Sequence, residues 1–272
     1  MFLAGSDSQS ADGVALSLRQ FSEAWRVMCC GGPRYARETA DGLEYTFSGI
    51  PVGFFNIGLL TASGISAEAL AQHAQDATAW AADKDVPWLL VITEQTLAPG
   101  VDAAAVLDAS GFGSVMPLTG MVARQITPPA RTASSLELTV PGAEHELGAI
   151  FDLNSIAYGM DLEAGKSLMA QPAFWNGHVP ALGLAAAKPA SCAAVLMVDG
   201  LRYVAMVATD PAQQRRGYAE ATMRHALDVA RERHGDVASV LHATEAGRPV
   251  YERMGYERIA SHTVFMEKRF LH

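Results

Sequence analysis

Apolar residues in the second half of the chain change repeatedly between strand-like and helix-like spacing. Leu136–Val140 alternates apolar and polar side chains as a strand does, whereas Glu146–Tyr158 repeats its apolar residues every three or four positions, as a helix face does. The same test predicts the remaining elements of this half: a helix near Leu162–Ala170, strands at Pro180–Ala187, Cys192–Val198 and Arg202–Thr209, a helix at Gly217–His234, a strand at Ser239–Ala243 and a short helix within Gly247–Tyr256. Interleaved strands and helices predict an α/β (α+β) fold.

The first half repeats part of this order. Its predicted elements are a helix containing Leu18, Phe21, Trp25 and Met28, strands at Leu43–Phe47 and Val52–Ala62, a helix at Ala67–Asp83, a strand at Trp88–Ile92, a helix at Ala103–Ser110, the pair Gly111-Phe112 and a strand through Met121 and Val122. The segment Thr127–Ser135 is rich in Pro, Ser and Thr and predicts a linker. We therefore expect two domains, residues 1–126 and 136–272, joined by residues 127–135.

The segment Thr209–Ala219 carries the strongest chemical signal. It follows an apolar strand and opens a long helix, so the free N–H groups and positive dipole end of that helix favour an anion. Gly217 permits close approach to the backbone, and Arg215 and Arg216 add positive charge. The spacing fits neither a Walker loop nor a dinucleotide fingerprint. The two arginines are also compatible with a solvated helix face.

The pattern Gln214-x-x-Gly217-x-Ala219 resembles the acetyl-CoA pyrophosphate loop of the Gcn5-related N-acetyltransferases, the GNAT superfamily. A second block supports the resemblance, because Tyr251-x-x-x-Gly255-Tyr256 is similar to the end of the short fourth helix of that family. The resemblance implies tandem GNAT-like domains, each a mixed, mostly antiparallel sheet flanked by helices, with the C-terminal one complete. Gly64-Ile65-Ser66 stands where the first half would need its loop, so this half resembles a degenerate copy without a cofactor site. An unrelated α/β domain is the alternative.

The resemblance also implies roles for individual residues, with acetyl-CoA as cosubstrate. Backbone groups of the splayed strand would hold the acetyl carbonyl and pantetheine, and the loop would hold the pyrophosphate. The residues implied are Val207, Ala208, Thr209, Gln214, Arg215, Arg216, Gly217, Tyr218 and Ala219. Tyr251 matches the general acid, since a phenol with a pKa near 10 can protonate a departing thiolate; a core aromatic is its structural alternative. Many members carry an Asn where this chain has Thr244–Gly247, so that contact to pantetheine is missing.

The general base is left unassigned by the sequence. Glu144, Glu146, Asp152 and His178 lie in the region that would face the acceptor, and a solvated charge is the alternative for each of them. The expected activity is acetyl-CoA-dependent acetylation of a primary amine on a small molecule or a protein. The alternatives are a non-catalytic acyl-CoA sensor and a transferase of another acyl group.

Composition narrows the partners. The 272 residues are 50% apolar and 18% charged with a net charge of −9, which argues against nucleic acid and mildly favours cationic substrates. No apolar run reaches the roughly 20 residues of a membrane span, and no signal peptide is evident, so a cytoplasmic protein without a membrane partner is expected. A homodimer is compatible with this assignment. The three cysteines, Cys29, Cys30 and Cys192, and the scattered histidines predict free thiols and no metal site.

Overall fold

The first half of the chain forms a helix, an antiparallel meander and two further helix–strand units. The computed structural model describes residues 10–129 and 136–271. The elements of this half are α1 (Ala11–Cys29), β1 (Ala36–Ala40), β2 (Leu43–Phe47), β3 (Asn56–Leu60), α2 (Ala67–Ala81), β4 (Leu89–Thr93), α3 (Ala103–Ala109) and β5 (Phe112–Ala123). Ser10 and Ser66 begin α1 and α2, because each side chain accepts a hydrogen bond from an amide of the first turn.

The second half adds a strand and two helices before the same succession. Its elements are β6 (Glu137–Thr139), α4 (Glu144–Tyr158), α5 (Glu163–Met169), β7 (Val179–Ala185), β8 (Lys188–Val198), β9 (Leu201–Thr209), α6 (Tyr218–His234), β10 (Ser239–Ala243), α7 (Arg248–Arg253) and β11 (Glu257–Glu267). Short 3-10 turns occur at Gly53–Phe55, Glu94–Thr96, Pro172–Trp175, Pro211–Gln213 and Lys268–Phe270.

Most predicted elements are present, but strands β1 and β11 were given no bounds from the sequence and one predicted strand is shorter. Strand β1 was not predicted, since its residues Ala36–Ala40 are mostly exposed and lack a buried apolar face. The predicted strand Val52–Ala62 begins as a 3-10 turn and is regular only over Asn56–Leu60. Most of the predicted linker, residues 130–135, lies outside the described residues, and before it the Thr127 amide donates to the Met254 carbonyl.

All eleven strands belong to one sheet, in the order β1-β2-β3-β4-β11-β5-β10-β9-β8-β7-β6. The pairing is antiparallel except between β3 and β4 and between β9 and β10. The two halves exchange their last strands: β11 of the second half lies between β4 and β5, and β5 of the first half lies between β11 and β10. Each half therefore completes its sheet with a strand of the other, an arrangement that local sequence patterns do not predict.

Helices cover both faces of this sheet. Helices α1, α4 and α5 share one core with residues such as Phe21, Phe151 and Leu196. On the opposite face, α6 and α7 pack with Met223 and Leu241, and α2 and α3 pack with Leu70 and neighbouring residues. The face that carries α1 and α4 and the face that carries α6 and α7 are referred to below as the α4 face and the α6 face.

A chain of polar groups crosses the junction between the halves. The Ser17 hydroxyl contacts the Nε2 atoms of His242 and His262 at 2.9 Å each. The other ring nitrogens, Nδ1 of His242 and Nδ1 of His262, lie 2.8 Å from the Tyr203 and Thr93 hydroxyls. Both ring nitrogens of each histidine are thus satisfied, as a buried polar network requires.

Candidate active site

A notch opens in the sheet between β9 and β5, because β10, the strand between them, ends before they do. The parallel pairing of β9 with β10 ends at Val204, so Ala205–Thr209 has no partner strand on that side. On the other side, β10 pairs with β5 only as far as Ala243↔Thr119, and the preceding part of β5 pairs with β11 alone. The notch is therefore bounded by the free edges of β9 and β5 and by the end of β10.

A β-bulge aims the edge of β9 into the notch. Cys192 pairs with Ala208 and Ala194 with Ala205, so Met206 and Val207 oppose one residue of β8. Met206 has a φ of +52°, which an unbranched apolar residue rarely adopts. Its carbonyl accepts hydrogen bonds from Asn154 Nδ2 at 3.3 Å and Cys192 Sγ at 3.2 Å, which hold the bulge in place.

Backbone groups of Val207 and Thr209 face the notch. Ala208 pairs with Cys192 and the Asp210 amide donates to the Ala190 carbonyl, so these two residues direct their backbone groups toward β8. Because backbone groups alternate along a strand, those of Val207 and Thr209 point the other way. The Thr209 hydroxyl is buried and has no hydrogen-bond partner among the described residues. The roles predicted for Val207, Ala208 and Thr209 remain predictions, and this geometry is consistent with them.

The loop Gln214–Gly217 leads from the notch into α6. Arg215 and Gly217 both have left-handed backbone conformations, with φ of +62° and +80°, so the loop turns sharply before the helix. Successive amides in such turns form anion-binding concavities. Gly217 occupies the N-cap of α6 without a side-chain cap, and a Cβ there would meet no atom within 4 Å. Gln214, Arg215 and Arg216 are exposed, and the described residues offer no ion-pair partner to either arginine.

The start of α6 is anchored to the sheet behind this loop. Its buried face carries Tyr218, Thr222 and Met223, while Ala219 is half-buried. The Thr222 hydroxyl contacts the Ser191 hydroxyl on β8, and Ser191 donates to the Tyr218 carbonyl at 3.4 Å. This contact fixes the helix axis so that its N-terminus ends beside the notch.

Two tyrosines meet at the notch from opposite faces. Tyr251 on α7 belongs to the core of the α6 face and is 9% exposed. Tyr158, at the end of α4, donates to the Val207 carbonyl at 3.1 Å. Burial raises the pKa of Tyr251, and the neighbouring phenols of Tyr158 and Tyr256 raise it further. Within the described residues no hydrogen bond to the Tyr251 hydroxyl is found, and the raised pKa keeps this phenol protonated.

Glycine at position 247 makes room for the Tyr251 ring. A Cβ at Gly247 would lie 3.0 Å from Cε2 and 3.3 Å from the hydroxyl of Tyr251. The first turn of α7 thus lies directly against the phenol. This is the segment where the family resemblance led us to expect an Asn.

The predicted base candidates are engaged elsewhere. Glu144 accepts from Gln171 Nε2 at 3.0 Å, and Asp152 pairs with Lys166 at 2.6 Å. Glu146 accepts from the Gly142 and Ala143 amides, and these backbone hydrogen bonds lower the pKa of its carboxyl. His178 Nδ1 accepts from the Met197 amide at 3.1 Å, and burial lowers its pKa. None of these contacts orients a carboxylate or imidazole toward the notch, so the base stays unassigned.

Three residues that shape the notch were not singled out from the sequence. Asn154 and Cys192 hold the bulge, and Tyr158 covers Val207. The signal that could have found Asn154 is its place on the apolar face of α4, where a polar amide requires buried partners. Cys192 offered no such signal, because it lies in a run of apolar residues.

The equivalent notch in the first half is closed. Strands β3 and β4 pair as far as Leu59↔Val91, and an isolated parallel bridge, Ile65↔Leu97, joins the chain beyond them. Gln95 Oε1 accepts from the Ser261 amide on the free edge of β11 at 3.0 Å. β3 pairs with β2 in unbroken register, and Ser66 caps α2.

Membrane and metal features are not seen in the described part of the chain. Among residues 10–129 and 136–271 no helix is long and apolar enough to cross a bilayer. The same residues contain no group of three or more side chains placed to hold a metal ion.

Comparisons with known proteins point to one family. A family model described as an acetyltransferase (GNAT) domain matches residues 200–259, which include the bulge, the loop, α6, β10 and α7. No curated protein sequence matches the chain.

Solved structures match nearly the whole chain. A GCN5-related N-acetyltransferase from Kribbella flavida is 18% identical with a TM-score of 0.68, covering 93% of this chain and 96% of that one. A tandem GNAT protein from the clavulanic acid biosynthesis pathway is 13% identical with a TM-score of 0.53 and 96% coverage of both chains. A GCN5-related N-acetyltransferase from Sphaerobacter thermophilus is 14% identical with a TM-score of 0.60, covering 83% of this chain and 76% of that one. These likenesses confirm the predicted tandem fold.

Proposed function

We propose that the chain is an acetyl-CoA-dependent N-acetyltransferase of the GNAT superfamily whose active site is the notch of the second half, and the family model matched at residues 200–259 and the shared fold support this proposal. The acceptor would be a primary amine on a small molecule or a peptide. One observation carries the proposal: the uncapped N-terminus of α6, the bulged edge of β9 and the phenol of Tyr251 converge on one gap in the sheet.

The loop and the strand edge would hold acetyl-CoA. Amides of Gln214–Ala219 and the dipole of α6 suit the pyrophosphate, and Arg215 and Arg216 add charge at its mouth. The Val207 and Thr209 backbone would bind the pantetheine and polarise the thioester carbonyl. The bulge fixes these donors in advance, and fixed donors stabilise the oxyanion more than mobile water does.

Acetyl transfer then requires one bond to form and one to break. The neutral amine attacks the thioester carbon, a C–N bond forms, and the oxyanion of the tetrahedral intermediate is held by the β9 amides. As the C–S bond breaks, Tyr251 would donate its proton to the departing thiolate, which it can do because burial keeps the phenol protonated. The amine proton leaves to water or to a base that remains unassigned.

Two other functions use the same notch. A sensor would bind acyl-CoA without turnover, and a related transferase would carry another acyl group. The unbonded phenol of Tyr251 favours the enzyme, because a sensor has no need for a proton donor beside the thioester. The expected cytoplasmic location stays a prediction.

A screen for CoA release tests the proposal. Purified protein with acetyl-CoA is offered a panel of primary amines, and free thiol is measured, with the Gly217→Glu variant as the control for non-enzymatic hydrolysis. Amine-dependent release by the native protein alone is the expected result. Acetyl-CoA binding without release, across amines of every class, would support the sensor instead.

A further inference from the structure

We infer that the first half of the chain supplies the acceptor wall of the active site in the second half, and that this wall selects amines with an apolar substituent. The wall is the part of β5 before Thr119, with Met116 and Leu118 as the specificity-determining side chains. The inference rests on the proposed function for the identity of the reaction. Its geometry comes from the strand exchange alone.

Strand β5 continues past the end of β10 along the whole notch. Its last pair with β10 is Ala243↔Thr119, while its pairing with β11 runs on to Glu267↔Phe112. Residues 112–118 therefore have a partner on one side and the notch on the other. Pro117 lies within this stretch, and proline is tolerated in a sheet where the strand edge is unpaired.

Met116 and Leu118 lie on the face from which an acceptor would approach. Both are half-buried and pack against the core of α1 and α4, on the α4 face. The pyrophosphate loop begins α6 on the other face, and Tyr251 belongs to the core there. Acetyl-CoA that enters from the α6 face would expose its thioester to the α4 face. On that face Met116 and Leu118 flank the β5 side of the notch, and Tyr158 lies on the β9 side.

The chemistry of the wall indicates the acceptor class. The stretch from Phe112 to Thr119 has no charged residue, in a protein of net charge −9. Leu118 is paired with His262, whose ring nitrogens are both satisfied, so this imidazole offers no free hydrogen-bonding group to an acceptor. A cationic or hydroxylated substituent would lose water there without gaining a partner, whereas an apolar one is stabilised by burial.

Two amines of similar basicity and different polarity test the inference in the full-length protein. With 2-phenylethylamine and ethanolamine as acceptors, we expect kcat/KM for the native protein to be at least about tenfold higher for 2-phenylethylamine. Leu118→Ser should remove most of this preference for 2-phenylethylamine and leave the KM for acetyl-CoA unchanged. Leu138→Ser is the matched control, since Leu138 is a half-exposed leucine on the outermost strand β6, and it should keep the ratio.

A second variant and a binding measurement keep the test decisive. Leu118→Phe should narrow the notch and favour the smaller amine even if Leu118→Ser is poorly folded. Saturation-transfer NMR on the CoA-loaded protein should show the same preference for 2-phenylethylamine without turnover. Equal binding and turnover of the two amines, or an unchanged ratio in both Leu118 variants, would overturn the inference. Loss of acetyl-CoA binding would refute the proposed function, and the same NMR measurement on the protein without CoA would still decide whether the wall prefers 2-phenylethylamine.

Discussion

The two halves of the sheet have equivalent strands around the same position, but the notch there is open in the second half and closed in the first. In the second half, β9 carries a bulge against β8, its pairing with β10 ends at Val204, and no side chain caps α6. In the first half, β3 keeps its register, the bridge Ile65↔Leu97 closes the gap, and Ser66 caps α2. Under the proposed function, the same fold would bind a ligand in one half and only pack in the other, depending on a bulge and a helix cap. Function is carried by those local features, while the fold supplies their positions.

The closed half still contributes to the open one. Its strand β5 forms one side of the open notch, and β11 returns to fill the corresponding place in the first half. Ser17 and Thr93 of the first half also bond the histidines at the junction. We therefore propose that the two halves fold as one cooperative unit.

The largest expected effect is on folding of the isolated second half. Residues 136–272 lack β5, so the edges of β10 and β11 that pair with β5 would be left unpaired. The part of the core that Met121 and Ala123 form would also be missing. We expect no cooperative thermal unfolding by circular dichroism for this fragment. Co-expression with residues 1–129 should restore it. A fragment that unfolds cooperatively alone would mean that the exchange is dispensable.

The Tyr251→Phe variant measures the next largest effect. Removing the proton donor should lower kcat roughly 100-fold, because general acid catalysis contributes about that much, and leave acetyl-CoA affinity unchanged. Tyr45→Phe, in the core of the first half, is the matched control and should retain activity. Since burial raises the pKa of Tyr251, kcat should not fall between pH 7 and 9 in the native protein. Equal kcat in the two variants would remove Tyr251 from the mechanism.

The junction between the halves should be sensitive to acid. Burial lowers the pKa of His262 from 6.5 to about 4. The unfolded chain therefore binds a proton that the folded protein does not, so the stability contribution is present above pH 6.5 and is lost as the pH falls toward 4. For His262 this loss amounts to about 2 kcal/mol by pH 5.

Urea unfolding at pH 7 and pH 5 checks this contribution. His242 shifts in the same direction, because burial and the neighbouring His262 lower its pKa. The groups that face His262 are the hydroxyls of Ser17 and Thr93 and the rings of Phe21 and His242. His262→Gln should lose less stability than the native protein between these pH values. An equal loss in both would exclude His262 as the source.

The smallest expected effect comes from opening the first-half notch. Gln95→Ala removes the hydrogen bond to the Ser261 amide and should cost about 1 kcal/mol of unfolding free energy. It should create no acetyl-CoA site, because Ser66 still caps α2 and β3 still lacks a bulge. The measurement is chemical denaturation with and without acetyl-CoA. A second acetyl-CoA binding event in the variant would show that the Gln95 contact alone prevents binding in the first half.

The sequence predicted the parts of this account that depend on neighbouring residues. The loop Gln214–Ala219 and the helix with Tyr251 are continuous segments, and repeated element order indicated the second copy. The exchange of β5 and β11 could not be predicted from the sequence, because the pairing of strand edges depends on which free strand lies nearby and these strands are far apart in the chain. The bulge at Met206 was equally hidden, since its left-handed backbone is stabilised by Asn154 from another element.

Calorimetric titration of acetyl-CoA into matched glycine variants tests the central claim most directly. Gly217 and Gly64 precede corresponding helices, both have positive φ, and a Cβ at either would meet no atom within 4 Å, so Gly→Glu is comparable at the two sites. We predict one acetyl-CoA per native chain, no binding to Gly217→Glu, and native affinity in Gly64→Glu. Two sites per chain, or loss of binding in Gly64→Glu with retention in Gly217→Glu, would contradict the account.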